Sequence, residues 1–302
     1  MKETSLAQPA WSPDVITWQA PPPKLAATDD QVHLWRARLD VPDSVLAGLH
    51  STLAPDEAAR AARFRHQQDH DRYVAARGAL RAILGRYLAV EPCRVRFEYN
   101  THGKPSVKQP PIRNVAPAEG TREASIRDTS TRDAGILSVR PTEGWHTEGS
   151  AVEGRPATLS FNLSHSHDLA LYAIAGTRAI GVDVELVRPE IAMQHIPEHF
   201  FSRSEVSALR ALPLDEQPLA FCQFWTCKEA AAKARGEGLT LSLDHIEVSV
   251  EPDTPPRLLR VTGSADEAAR WSLYNFVPAP GYVAALAVEG HDWRLAAWDW
   301  TW

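Results

Sequence analysis

Cysteine is scarce. Cys93, Cys222 and Cys227 are the only three in 302 residues, they form no Cys-x-x-Cys pair, and an odd, scattered set supplies no disulfide framework. Such usage suits a reducing, cytosolic setting. Long apolar runs are missing too, since none approaches the roughly 20 residues of a spanning helix. Residues Met1 to Pro13 lack the basic-then-apolar plan of a secretory signal. Strong net charge is also absent: 32 Lys and Arg against 38 Asp and Glu give −6. That argues against a dedicated nucleic-acid binder but leaves room for a local basic pocket. What remains, 44% hydrophobic and 23% charged residues, is ordinary globular composition. The length suits about two domains. The expectation is a soluble cytoplasmic protein with no membrane segment.

Residues 1–30, with Pro21-Pro22-Pro23 at their middle, read as a flexible or extended head. The pattern at 33–38 suits a first strand. Asp56 to Arg65 reads as a helix after Pro55, and Tyr73 to Leu88 as a second, with Val74, Leu80, Leu84 and Leu88 facing the core and Arg77 and Arg81 on another face. A strand at Val95–Tyr99 closes the segment 31–108. From Gln109 to Pro156 periodicity disappears; seven acids, six arginines and few large apolar residues read as a disordered surface insertion. Order resumes over 157–302 with strands at Leu159–Leu163, Leu169–Ala175 and Ile180–Leu186. Helices are expected at Ser204–Leu212 and Leu219–Ala234, then strands near His245–Val250, Ala269–Phe276 and Tyr282–Val288. Strand, helix, helix, strand thus runs from Val32 and again from Ile180, which suggests an α+β fold of two similar halves.

Chemistry concentrates in a few places. In Gly181-Val182-Asp183-Val184-Glu185, strand alternation sends Asp183 and Glu185 to one face and Val182, Val184 and Leu186 to the other. Two neighbouring carboxylates call for a cation, and Mg²⁺ with its oxygen ligands fits; a solvated acidic strand face is the plain alternative. Phe221, Trp225, Glu229 and Lys233 recur every four residues and stack along one helical stripe. Its aromatic end would anchor the helix, leaving Glu229 as a third oxygen ligand and Lys233 as a cation for phosphate, unless the two form only a surface pair. Ser164 and His165, at a strand end, could hydrogen-bond an anion. The nearby His165, His167 and Asp168 miss the spacing of dinuclear zinc hydrolases. Cys227 beside Lys228 reads as a packed or inert thiol, because neighbouring helical side chains diverge.

Charge is unevenly spread. Residues 60–108 hold eleven Lys or Arg against four acids, a net of +7, so the rest of the chain sums to −13. Arg60, Arg63, Arg65, Arg72, Arg77 and Arg81 lie on the expected helices, and arginine forks suit phosphate. A basic first half facing an acidic strand pair describes a polyphosphate held between arginines and Mg²⁺, with a solvated Arg-rich helix as the competing account.

Taken together, Gly103-Lys104-Pro105, the Phe161–Ser166 run, Gly181–Glu185, Phe200-Phe201-Ser202, Trp225–Ala230 with Lys233, and the closing Pro280–Val288 segment resemble the single-chain, surfactin-type 4′-phosphopantetheinyl transferases. The resemblance covers about residues 32–290. It implies a pseudo-dimer of two α+β halves with coenzyme A in the cleft between them. It implies Mg²⁺-dependent transfer of 4′-phosphopantetheine from coenzyme A to a serine of an acyl or peptidyl carrier protein, by a monomer that needs neither nucleic acid nor membrane. Carried over, Asp183, Glu185 and Glu229 would hold Mg²⁺ and Lys233 the pyrophosphate, with Glu229 also the nearest base for the serine. His165, Arg72 and one or both of Arg60 and Arg63 would hold the 3′-phosphate. Gly103, Lys104 and Pro105 would line the adenine pocket, and Ser164 would lie against the phosphates. An inactive coenzyme A- or carrier-binding relative and a Mg²⁺-dependent phosphohydrolase of coenzyme A are the rival readings. The Trp298, Trp300, Trp302 pattern reads as a terminal strand over apolar surface.

Overall fold

The computed structural model describes residues 14–108, 159–189, 196–237, 242–251 and 254–302. The expected insertion at 109–156 lies outside them. The described elements begin with β1 (Asp14–Val15), β2 (Gln31–Arg38), α1 (Asp43–His50), α2 (Pro55–Ala61) and α3 (Gln67–Leu88). Hairpins follow from β3 (Phe97–Tyr99) with β4 (Pro105–Val107) and β5 (Ser160–Ser166) with β6 (Leu169–Ala175). Next come β7 (Ile180–Leu186), α4 (Ile196–Phe200), α5 (Arg203–Arg210) and α6 (Gln217–Arg235). β8 (Ile246–Glu251) and β9 (Thr254–Val261) form a hairpin; after the short α7 (Ala265–Ala268), β10 (Trp271–Val277) and β11 (Tyr282–Glu289) form another, and β12 (Arg294–Asp299) is the last described element.

The expected repetition is present and longer than its sequence signal. A strand, three helices and two hairpins run from β2 to β6 and again from β7 to β11, where the short α7 is added between the hairpins. In each run the first strand pairs antiparallel with the last: β2 with β6, β7 with β11. Two four-stranded sheets result, in the orders β12-β2-β6-β5 and β1-β10-β11-β7. They pack through Val32, Leu34, Leu171 and Ala173 on one side and Val182, Val184, Ala284 and Leu286 on the other, all fully buried. Helix α3 covers the outer face of the first sheet with Ala76, Leu80, Ile83 and Leu84, and α6 covers the second with Phe224, Cys227, Ala230 and Ala231. The fold is α+β, in two similar halves.

Several expectations change. The head is pinned from Asp14 onward: Asp14 and Val15 pair with Phe276 and Val277 of β10, and Gln19 bridges Trp298 of β12. This stretch stitches together the open edges of the two sheets, so extended backbone there satisfies strand hydrogen bonds. The helix expected at 56–65 ends at Ala61. The second begins at Gln67 rather than Tyr73, and α1 precedes both. Arg77 and Arg81 are not a solvent-facing phosphate face. Both are buried on Glu57, Arg77 through Nε at 2.9 Å and Arg81 through Nε at 2.6 Å. Pro55 starts α2, and Glu57 at its third position also accepts the Ala54 N–H at 2.9 Å. Among the described residues no helix is long and apolar enough to cross a membrane.

Candidate active site

The site lies where the two sheets meet at β5 and β7. Across this seam side chains take the place of a backbone ladder. Alternation along β5 sends Asn162, Ser164 and Ser166 toward β7 while Phe161 and Leu163 pack under α3. The Val182 N–H donates to Asn162 Oδ1 at 2.9 Å and the Leu186 N–H to Ser166 Oγ at 3.1 Å. Ser164 Oγ donates to Asp183 Oδ1 at 2.8 Å, and Ser166 Oγ to Glu185 Oε2 at 2.8 Å. Three alternate residues of β5 therefore fix the height of β7 and orient both its carboxylates.

Helix α6 lies directly over β7 because position 181 is glycine. A Cβ there would stand 2.1 Å from the Ala230 carbonyl oxygen, 2.4 Å from the Ala234 nitrogen and 3.0 Å from its Cα. This approach sets Glu229 and Lys233 above Asp183. Lys233 Nζ donates to Asp183 Oδ1 at 2.6 Å and to Ser164 Oγ at 3.1 Å. At its other end the helical stripe is anchored as expected: Phe221 stacks on Phe201 at 5.4 Å and on Trp225 at 5.8 Å, and Phe200 meets Trp225 edge-on at 5.5 Å.

Electrostatics mark the seam as a place built for charge. Asp183 is 3% exposed, and its Oδ2 is buried without a hydrogen-bond partner. Burial, then the Asp183 charge, pushes the Glu185 carboxyl up to about 7. Burial likewise raises Glu229; Lys233 opposes the rise and Asp183 adds to it. Burial works against the Lys233 ammonium, but Asp183, Glu229 and Glu185 outweigh it and raise its pKa. His165 keeps a solvent-facing edge in a crowded surround; that crowding first, then the Lys233 and Arg60 charges, lowers its pKa and favours the neutral ring. Among the described residues no three acidic, His or Cys side chains stand close enough to grip an ion as they are. The orphaned Asp183 oxygen and the repulsion of Asp183 on Glu185 and on Glu229 nonetheless fit a divalent cation.

The remaining candidates surround this core. Arg60 and Arg63 are exposed and line a bowl of about 590 Å³ with Asp56, Ala59 and Phe64. Arg60 is near enough for its charge to act on His165. Arg72 is already held by Asp40, Nε to Oδ1 at 2.7 Å and Nη2 to Oδ2 at 3.0 Å. Gly103, exposed at φ 82°, and the half-buried Pro105 flank Lys104 in the β3–β4 turn. The Lys104 ammonium reaches the Ala234 and Ile180 carbonyls. Cys227 is inert: burial pushes its thiol up to about 12.

Sequence reasoning missed the partners that hold this arrangement. Lys228, wholly buried, donates to Glu205 Oε2 at 2.5 Å, and Glu205 Oε1 accepts the Val248 N–H at 2.9 Å, tying α6 to α5 and β8. Ser202 and Glu205 form a capping box for α5, the one local signal that marked Glu205. Asn162 sits in the Phe161–Ser166 run without a signal for this task, and Asp40 left no trace.

The 4′-phosphopantetheinyl transferase HetI of Nostoc sp. (strain PCC 7120) is 38% identical over 282 residues, 93% of this chain and 98% of that relative. The chain belongs to the 4′-phosphopantetheinyl transferase family. A family model described as the 4′-phosphopantetheinyl transferase superfamily matches residues 179–287 of the transferase, from β7 to β11. The 4′-phosphopantetheinyl transferase Sfp of Bacillus subtilis (strain 168) is 26% identical over 203 residues, 67% of this chain and 69% of that relative. Among solved structures, a holo-(acyl-carrier-protein) synthase from Bacillus anthracis is 24% identical with a TM-score of 0.31, covering 37% of this chain and 96% of that one. The activity of the transferase is to move 4′-phosphopantetheine from coenzyme A to a serine of a carrier protein.

Proposed function

We propose that the seam between β5 and β7, with α6 above it, holds the pyrophosphate of coenzyme A, and that Asp183, Glu185 and Glu229 bind Mg²⁺ beside it. The observation that carries this reading is the Lys233–Asp183–Ser164 cluster, with one Asp183 oxygen left unpartnered and buried. Mg²⁺ there would offset carboxylate repulsion and draw charge from the phosphoryl oxygens. Lys233 contributes a fixed ammonium in a mostly enclosed place, where charge stabilisation counts for more than in water. The carrier serine attacks the β-phosphorus; its oxygen bonds to phosphorus as the pyrophosphate bridge breaks, and 3′,5′-adenosine bisphosphate leaves. Glu229, through the carboxylate oxygen left off the metal, takes the serine proton directly or through water.

His165, Arg60 and Arg63 face the 3′-phosphate across the bowl, with Arg72 joining when that anion competes with Asp40. Gly103, Lys104 and Pro105 flank the adenine. Both halves of the cleft come from one chain, so a monomer is complete. The test is the intact mass of an apo carrier after incubation with enzyme, coenzyme A and Mg²⁺. A gain of one phosphopantetheine, lost with a chelator, is expected; no gain on any of several fatty-acid, polyketide and peptidyl carriers would overturn the reading.

A further inference from the structure

The Lys104 side chain spends its charge on the protein itself. Its Nζ donates to the Ala234 carbonyl at 2.9 Å and to the Ile180 carbonyl at 3.3 Å. Ala234 follows Lys233 and lies among the last four residues of α6, whose carbonyls have no partner within the helix. Ile180 opens β7, pairs with Val288 of β11 on one side, and borders the seam on the other. A second brace comes from the same turn: Asn100 Nδ2 donates to the Gly236 carbonyl at 2.8 Å, at the residue that ends α6 with φ 73°. The turn is itself tied by Asn100 Oδ1, which accepts the Lys104 N–H at 2.8 Å and the His102 N–H at 3.0 Å.

We propose that Lys104 is a positioning residue, whose ammonium clamps the C-terminal end of α6 to the start of β7 and so fixes Lys233 over Asp183. Gly181 lets the helix approach the strand, and Lys104 holds it there from the first half of the molecule. An apolar side chain would cover the same stem without the cost of burying an ammonium, and burial does depress Lys104, to about 8, with no carboxylate among the described residues to offset it. The two carbonyls account for the retained charge. Methionine keeps the backbone and most of the stem that would flank the adenine and removes only the ammonium.

The clamp rests on the assignment of Lys233 and Asp183 given above, and its test separates the two. With Lys104→Met, kcat is expected to fall about tenfold or more while KM for coenzyme A stays within about twofold, the mark of displaced reacting groups rather than lost nucleotide contact. A raised KM at unchanged kcat would overturn the clamp in favour of a nucleotide contact. In a double-mutant cycle, Lys104→Met should add little to Lys233→Met; full additivity would also overturn it. Amide hydrogen exchange reads the clamp without turnover. Lys104→Met, and more weakly Asn100→Ala, should speed exchange at 232–236 and leave α3 unchanged. Unaltered exchange there would sink the clamp even if the enzyme transferred nothing, whereas faster exchange without transfer in the wild type would leave the clamp standing and remove the site assignment.

Discussion

Gly181→Ala offers a sharp perturbation, because the added methyl meets backbone rather than a movable side chain. Its Cβ would stand 2.1 Å from the Ala230 carbonyl oxygen, where ordinary contact begins near 3.4 Å. Helix α6 would have to retreat by about 1 Å, since well-packed interiors have no slack to absorb the clash. The Lys233–Asp183 bond, 2.6 Å here, would open to about 3.6 Å, beyond hydrogen-bond range. Overpacking of this kind costs about 1–3 kcal/mol of stability, and a misplacement of about 1 Å near the reacting groups costs on the order of a hundredfold in rate. The assay is kcat/KM for phosphopantetheine transfer by mass spectrometry, paired with urea unfolding. Gly48→Ala is the control, because a Cβ there meets nothing within 4 Å on α1 and should stabilise slightly. If Gly181→Ala kept kcat/KM within about threefold of wild type and its unfolding midpoint unchanged, the close-approach argument would be refuted.

Two further outcomes follow from the buried charges. The Glu185 carboxyl, pushed up to about 7 by burial and Asp183, holds a proton below that pH in the metal-free protein. Its contribution to stability is therefore complete below the ordinary glutamate range and lost as pH rises through about 7. A cation must displace that proton, so the Mg²⁺ concentration for half-maximal activity should rise by up to about tenfold per pH unit below pH 7; Glu185→Gln should flatten the dependence, and a flat wild-type profile would contradict the assignment. Glu57→Gln leaves Arg77 and Arg81 buried against a neutral amide, and should cost about 3–5 kcal/mol in urea unfolding. A loss under about 1 kcal/mol would show that the pair does not hold α2 to α3.

How much of this was legible in the sequence depends on the reach of each interaction. Strand β7 and the Phe221–Lys233 stripe were readable because a period of two or four places residues on a face without knowledge of the partner. The identity of the partner was not readable. Arg77 and Arg81 resemble a polar face until Glu57, 20 and 24 residues away, neutralises them inside the core. Asn162 is legible as part of a motif, but its task, accepting the Val182 N–H where no strand pairs, exists only once β5 and β7 meet. Strand β9 was missed because Pro255 and Pro256 look like a loop, and an edge strand tolerates them. The pairing of Asp14 to Gln19 was not readable because that stretch carries no periodicity of its own; its extended backbone is held by the sheet edges it joins.

The central claim, that Asp183 and Lys233 at the seam carry the transfer, is tested most directly by following the intact mass of an apo carrier with wild type, Asp183→Ala and Lys233→Met in parallel, each first shown to unfold with wild-type cooperativity. The wild type should add one phosphopantetheine per carrier in the presence of Mg²⁺, and both folded variants should lose at least about a hundredfold in rate. Transfer at the wild-type rate by either folded variant would contradict the account.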